Sequence, residues 1–111
     1  MANFPQGATR DYQTTAYAAS GVIKATPGRL YKLWGYNSGP AQFFQLCDAA
    51  SVPANATVPK VTFAIAAASN FEFDLQDVGR QFLVGITWNN SSTGQTKTLG
   101  AADCWVNAII Q

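Results

Sequence analysis

Turn-forming residues recur along this chain at short, fairly even intervals, and that rhythm constrains the fold more than any other feature. They fall at Ser20-Gly21, Pro27-Gly28, Asn37-Ser38-Gly39-Pro40, Pro53-Ala54-Asn55, Asp77-Val78-Gly79, Asn89-Asn90-Ser91 with Gly94, and Gly100. The runs between them are too short for typical helices and are rich in β-branched and aromatic residues. Such a chain is expected to be all-β, an antiparallel β-sandwich of about eight short strands, jelly-roll or Ig-like.

Two stretches alternate most cleanly. Phe71, Phe73 and Leu75 alternate with Asn70, Glu72 and Asp74; Phe82, Val84, Ile86 and Trp88 alternate with Leu83, Gly85, Thr87 and Asn89. A period of two places each set on one face of a strand. Gly79, free to take a positive φ, lies between the two stretches, so they are expected to pair as a hairpin. A second hairpin is expected where residues 30–36 and 41–47 flank Asn37-Ser38-Gly39-Pro40; aromatics on both faces there predict central strands. Further strands are expected at 12–18, 22–25, 61–66, 96–99 and 104–109. A helical turn could occupy 48–51. The Ala-rich run 64–68 has helix propensity, but Val61, Phe63 and Ile65 alternate before it and favour a strand. No internal repeat or linker is visible. The expected organisation is an N-terminal arm, 1–11, and a single domain, 12–111.

The chain has 111 residues, 48% hydrophobic and only 12% charged, against about 25% charged in typical globular proteins. This excludes disorder, which needs the opposite balance. It leaves a surface of Ser, Thr, Asn, Gln, Ala and some apolar area, suited to packing against partners. The net charge is +1, with Arg10, Lys24, Arg29, Lys32, Lys60, Arg80 and Lys97 scattered rather than clustered. A nucleic-acid partner is therefore not expected. The first residues, Met1-Ala2-Asn3-Phe4-Pro5-Gln6-Gly7, do not resemble a signal peptide. No apolar run approaches the ~20 residues of a membrane helix. Synthesis in a cytoplasm and no membrane partner are the expectation.

Catalytic chemistry leaves little trace. Histidine is absent, and the acids are Asp11, Asp48, Glu72, Asp74, Asp77 and Asp103. The commonest general base is thus missing, and a cysteine nucleophile would lack its imidazole. Glu72, Asp74 and Asp77 lie close in sequence, but without the spaced ligand pattern of a calcium loop. No Gly-rich segment matches a phosphate loop. The expectation is a non-enzyme with no catalytic residues, no cofactor and no metal. Cys47 and Cys104 lie in apolar stretches and read as buried free thiols; a disulfide stays open if their strands face one another. The aromatics, including Trp34, Trp88, Trp105, Tyr12, Tyr17, Tyr31 and Tyr36, are too many for a small core to hide, which predicts one aromatic patch at a subunit interface.

The run from Gly28-Arg29-Leu30-Tyr31 through Asn37-Ser38-Gly39-Pro40 to Gln45-Leu46-Cys47-Asp48-Ala49-Ala50 resembles small structural proteins of tailed bacteriophages. Gly79-Arg80-Gln81-Phe82, Gly85-Ile86 and Asn90-Ser91-Ser92-Thr93 are similar to the same group. The resemblance covers residues 21–108. It implies a virion component, above all a capsid decoration (cement) protein. Such a protein would bind the major capsid protein lattice as a trimer or other cyclic oligomer on the capsid surface. A neck, tail or baseplate accessory protein is the nearest alternative. A carbohydrate-binding module of a host-recognition fibre is a third reading, and it predicts an exposed row drawn from Trp34, Trp88 and Trp105. Candidate contact residues are Phe4, Pro5 and Arg10 in the arm, and Ser51, Pro53, Asn55 and Pro59 in a loop that two prolines would stiffen.

Overall fold

Strand β9 (Cys104–Ile110) buries Cys104, Val106, Ala108 and Ile110 and turns Trp105, Asn107 and Ile109 outward. Its neighbour β3 (Gly28–Asn37) does the same from Lys32 onward, with Leu33, Gly35 and Asn37 inward and Lys32, Trp34 and Tyr36 outward. Period-two patterning of this kind builds the whole molecule. The computed structural model describes residues 9–76 and 78–111, and among these it contains nine strands and no helix.

The remaining strands are β1 (Arg10–Gln13), β2 (Ser20–Lys24), β4 (Gln42–Cys47), β5 (Val61–Ile65), β6 (Ser69–Asp74), β7 (Arg80–Phe82) and β8 (Ile86–Ser91). A front sheet runs β1-β9-β3-β6, with β7 also on β3; a back sheet runs β2-β8-β4-β5. All pairings are antiparallel. The pairs β4–β5, β3–β6/β7, β2–β8 and β1–β9 nest inside one another, like a single long hairpin rolled over on itself. This is the jelly-roll order, and it settles the choice against the Ig-like one.

The core lies between the sheets. The front sheet gives it Leu30, Leu33, Phe71, Phe82, Val106 and Ile110, and the back sheet Ile23, Phe44, Leu46, Ile65, Ile86 and Trp88. Phe44 stacks on Trp88 with ring centroids 5.5 Å apart and meets Phe71 of the opposite sheet at 4.9 Å. Full burial of each such side chain contributes about 1.5–3 kcal/mol.

Both expected hairpins are absent. Residues 37–40 carry the chain from the front sheet to the back sheet, so β3 and β4 do not pair. Buried Asn37 organises the crossing. Its amide donates to Pro40 O (2.8 Å) and Ala66 O (3.0 Å), and its carbonyl oxygen accepts from Gly39 N (3.1 Å) and Gln42 Nε2 (2.9 Å). β3 and β4 are nonetheless both central, as their two-sided aromatics predict. Likewise the stretch 82–88 expected to pair with β6 is not one strand: Phe82 ends β7 in the front sheet and Ile86 begins β8 in the back sheet, so no hairpin forms with β6; instead β7 joins β6. They lie end to end along the same edge of β3, Lys32↔Asp74 to Asn37↔Ser69 and Gly28↔Phe82 to Leu30↔Arg80. They are one strand interrupted by a bulged loop, in which Gly79 takes φ +70° beneath the Tyr31 ring. With β6 and β7 sharing one position, the sandwich has the expected eight.

Other expectations shift by smaller amounts. The strand expected at 12–18 starts at Arg10, inside the expected arm, and stops at Gln13. The strand expected at 96–99 is a loop with one bridge, Leu99 to Ser91. Residues 48–51 form a bend and not a helical turn. Cys47 and Cys104 are buried free thiols at opposite ends of the sandwich, so the disulfide is excluded.

Candidate interaction surfaces

The two sheets differ in what covers their outer faces. On the back sheet, Gln45, Thr87, Asn89 and Ser91 point away from the core yet are buried. Two loops lie over them, joined by Ala56 N to Lys97 O (2.8 Å) and Lys97 N to Thr57 O (2.8 Å). The Gln45 amide donates to the carbonyls of Thr93 (2.9 Å), Gly94 (3.3 Å) and Thr96 (3.2 Å), while its oxygen accepts from Asn89 Nδ2 (3.0 Å). The amine of buried Lys97 donates to Pro53 O. Buried polar groups need such partners, each lost one costing about 1–3 kcal/mol.

The front sheet has no such cover among the described residues. Cross-strand register sets Trp105 opposite Tyr36, and Trp34 between Asn107 and Glu72. The Tyr36 and Trp105 rings stack at 6.3 Å. Lys32 bridges to Glu72 at 3.1 Å and lies over the Trp34 ring at 5.6 Å. Beyond β1 the chain bulges at residues 14–17. Thr14 holds the base of the bulge, its N donating to Val106 O (3.0 Å) and its hydroxyl accepting from Val106 N (3.0 Å), while Tyr17 is exposed. Two shallow depressions result. One, of about 410 Å³, is lined by Lys32, Trp34, Asn70, Glu72 and Trp105; the other, of about 400 Å³, by Gln13, Thr15, Tyr17, Trp105 and Asn107. Trp105 stands between them.

A second surface lies at the end of the sandwich where the chain passes from β7 to β8. Asp48, following β4, caps this crossing. Its carboxylate accepts from the backbone N–H of Leu83 (2.9 Å), Val84 (2.8 Å) and Gly85 (3.3 Å). Partial desolvation pushes the Asp48 carboxyl up, but the three N–H donors and Lys60 Nζ at 3.9 Å outweigh it and hold it below the usual carboxylate range. The held dipeptide is apolar and points outward, with Leu83 67% and Val84 51% exposed.

The sequence-predicted contact residues are dispersed. Phe4 and Pro5 lie outside the described residues. Arg10 is exposed on the edge strand β1, in the sheet and not in an arm. Ser51 and Asn55 are exposed, and Pro53 and Pro59 are half-buried. Their loop is tied down as well as stiff: Pro53 O holds Lys97 and Asn55 Oδ1 accepts from Leu99 N (3.0 Å). The expected aromatic row needs one correction. Trp88 is fully buried in the core, and Tyr36 stands with Trp34 and Trp105 instead. Sequence reasoning missed the Leu83–Val84 tip, whose signal was two large apolar residues of opposite parity just before a glycine. Glu72 is taken up by Lys32 and the Asp74 carboxylate by Gln76 N (2.8 Å). Among the described residues no group of three or more acidic or sulfur ligands converges. No protein-family model matches the chain, and a search of curated proteins finds no match.

Proposed function

We propose that this chain is a virion structural protein, a capsid decoration protein that binds and stabilises the major capsid protein lattice. The observation that carries the reading is the Asp48-capped tip. An apolar dipeptide left in water by a flexible loop would be unremarkable, since single exposed apolar residues are common. Here a carboxylate fixes three consecutive backbone N–H groups, so Leu83 and Val84 are held outward and little backbone ordering remains to be done on binding. Preorganised apolar anchors of this kind favour docking by lowering the ordering cost of binding. The low charge of the chain agrees, because it lowers the desolvation cost of a permanent interface. Weak contacts repeated over such a lattice add up by avidity.

The test is stoichiometry and position in purified particles. Copy numbers comparable to the major capsid protein, with density over capsomer junctions, are expected. A few copies per particle would transfer the assignment to neck, tail or baseplate. Sedimentation of the purified protein as a trimer or other cyclic oligomer is expected.

A further inference from the structure

We propose that the open face of the front sheet is a binding site for a neutral saccharide chain, with two subsites divided by Trp105. The site is separate from the Leu83–Val84 tip and does not depend on the capsid reading. A sugar ring presents a flat C–H face and a rim of hydroxyls. A site for it therefore needs a half-exposed aromatic ring flanked by planar groups that both donate and accept. Both depressions offer this. The first pairs the Trp34 and Trp105 rings with the Asn70 amide, which donates and accepts, and with the Glu72 carboxylate, which only accepts; the second pairs Trp105 and Tyr17 with the amides of Gln13 and Asn107 and the Thr15 hydroxyl, all of which donate and accept.

The amides on this face are in a different state from the buried ones of the interior. Asn37, Gln42, Gln45, Asn89 and Asn90 are all buried, and each amide group donates within the protein. Among the described residues, the side chains of Gln13, Asn70 and Asn107 make no hydrogen bond to other protein groups, so their donors and acceptors are available to a ligand. Charge narrows the ligand further. The two depressions contain one cation and one anion, Lys32 and Glu72, already paired with each other. Neither an acidic sugar nor a phosphate would find an uncompensated cation there, and a neutral saccharide meets no field to oppose it.

A protein partner fits less well. Protein hot spots seat an aromatic or Arg anchor in a deep, fully desolvated pocket, whereas these depressions are shallow and interleave rings with amides. The two lie side by side across Trp105, an arrangement that suits a linear chain passing over the indole with one residue on each side.

The experiment titrates the full-length protein with neutral hexasaccharides of glucose, galactose, mannose and N-acetylglucosamine, read by tryptophan emission and calorimetry. Binding of at least one of them is expected, with roughly tenfold or greater loss in Trp105→Ala. Trp34→Ala and Asn107→Ala should each weaken binding, and Trp105→Phe should retain part of it. Asn107→Ala removes a polar group from the outer face and guards against a loss of binding that merely reports misfolding; circular dichroism of every variant should match the parent. No binding across the panel would overturn the proposal. So would binding indifferent to Trp34, Trp105 and Asn107.

Discussion

The indole N–H of Trp88 donates to the Tyr12 hydroxyl at 3.1 Å, joining the centre of the back sheet to the edge strand of the front one. Gly21 makes the contact possible: a Cβ there would fall 2.6 Å from the Tyr12 oxygen and 2.7 Å from Trp88 Nε1. Tyr12→Phe leaves a buried donor without a partner, and a loss of about 1–2 kcal/mol is expected. Gly21→Ala is expected to cost more, because two packed side chains must move and the hydrogen bond opens as well. Urea unfolding should show both as a lowered midpoint at unchanged slope. A Gly21→Ala protein as stable as the parent would contradict the packing described for this corner.

The Asp48 cap predicts a pH dependence with a definite sign. Its folded-state carboxyl titrates below the ordinary value. It therefore contributes stability that is fully present above about pH 4 and is lost as pH falls through the depressed folded value. Asp48→Asn keeps the shape but removes the charge. A loss of about 1 kcal/mol at neutral pH is expected, modest because the carboxylate is partly open to water. The variant should also show a shallower decline in stability below about pH 4, and the two unfolding curves should converge in acid.

The thiols should be inert in the folded protein. Burial pushes the Cys104 thiol up to about 11, against a hydrogen bond from Asn90 that lowers it, and burial raises the Cys47 thiol too. Because the thiolate is the reactive species, neither cysteine should react with a thiol reagent at about pH 8 until the chain opens. Two thiols per chain should titrate in denaturant. A folded protein with no free thiols after unfolding would mean a disulfide that this geometry forbids.

What the sequence made legible was local. The alternation in β9 and β6 assigns inward and outward faces without any knowledge of neighbours, and the turn residues do mark the ends of most strands. Which sheet a strand enters was not legible, because a tight turn can close a hairpin or cross between layers. At 37–40 the difference is set by Asn37, whose amide reaches Ala66 O, 29 positions away. The polar side of β8 was misleading for a similar reason. Asn89-Asn90-Ser91 reads as a turn, yet all three lie in β8, and Thr87, Asn89 and Ser91 on its outer side are buried because loops from elsewhere cover them. The outward parity of Trp34 and Trp105 could be read within each strand, but their meeting on one face depends on the β3–β9 register.

That covered face yields its own prediction. Gln45 is the hub beneath the 92–98 loop, bonding three of its carbonyls. Gln45→Leu would replace those bonds with an apolar group under a polar loop. A loss of about 2–3 kcal/mol is expected. Amide hydrogen exchange should rise in residues 92–98 more than in β9, since the loop loses its anchors while the core between the sheets is untouched.

The tip offers the sharpest separation of function from stability. Leu83 and Val84 are mostly in water, so changing both to Ser removes little buried area and is expected to alter stability by less than about 0.5 kcal/mol. The backbone N–H groups that Asp48 accepts remain in place, so the loop should keep its shape. If these side chains are the anchors on the capsid, the double variant should fold and oligomerise normally yet fail to decorate particles that lack the parent protein. Asp48→Asn should show an intermediate loss, because the anchors remain but are no longer held. The measurement is occupancy on particles after incubation with each protein. Full occupancy by the Leu83→Ser/Val84→Ser protein would remove the tip from the interface and, with it, the observation on which the capsid assignment rests.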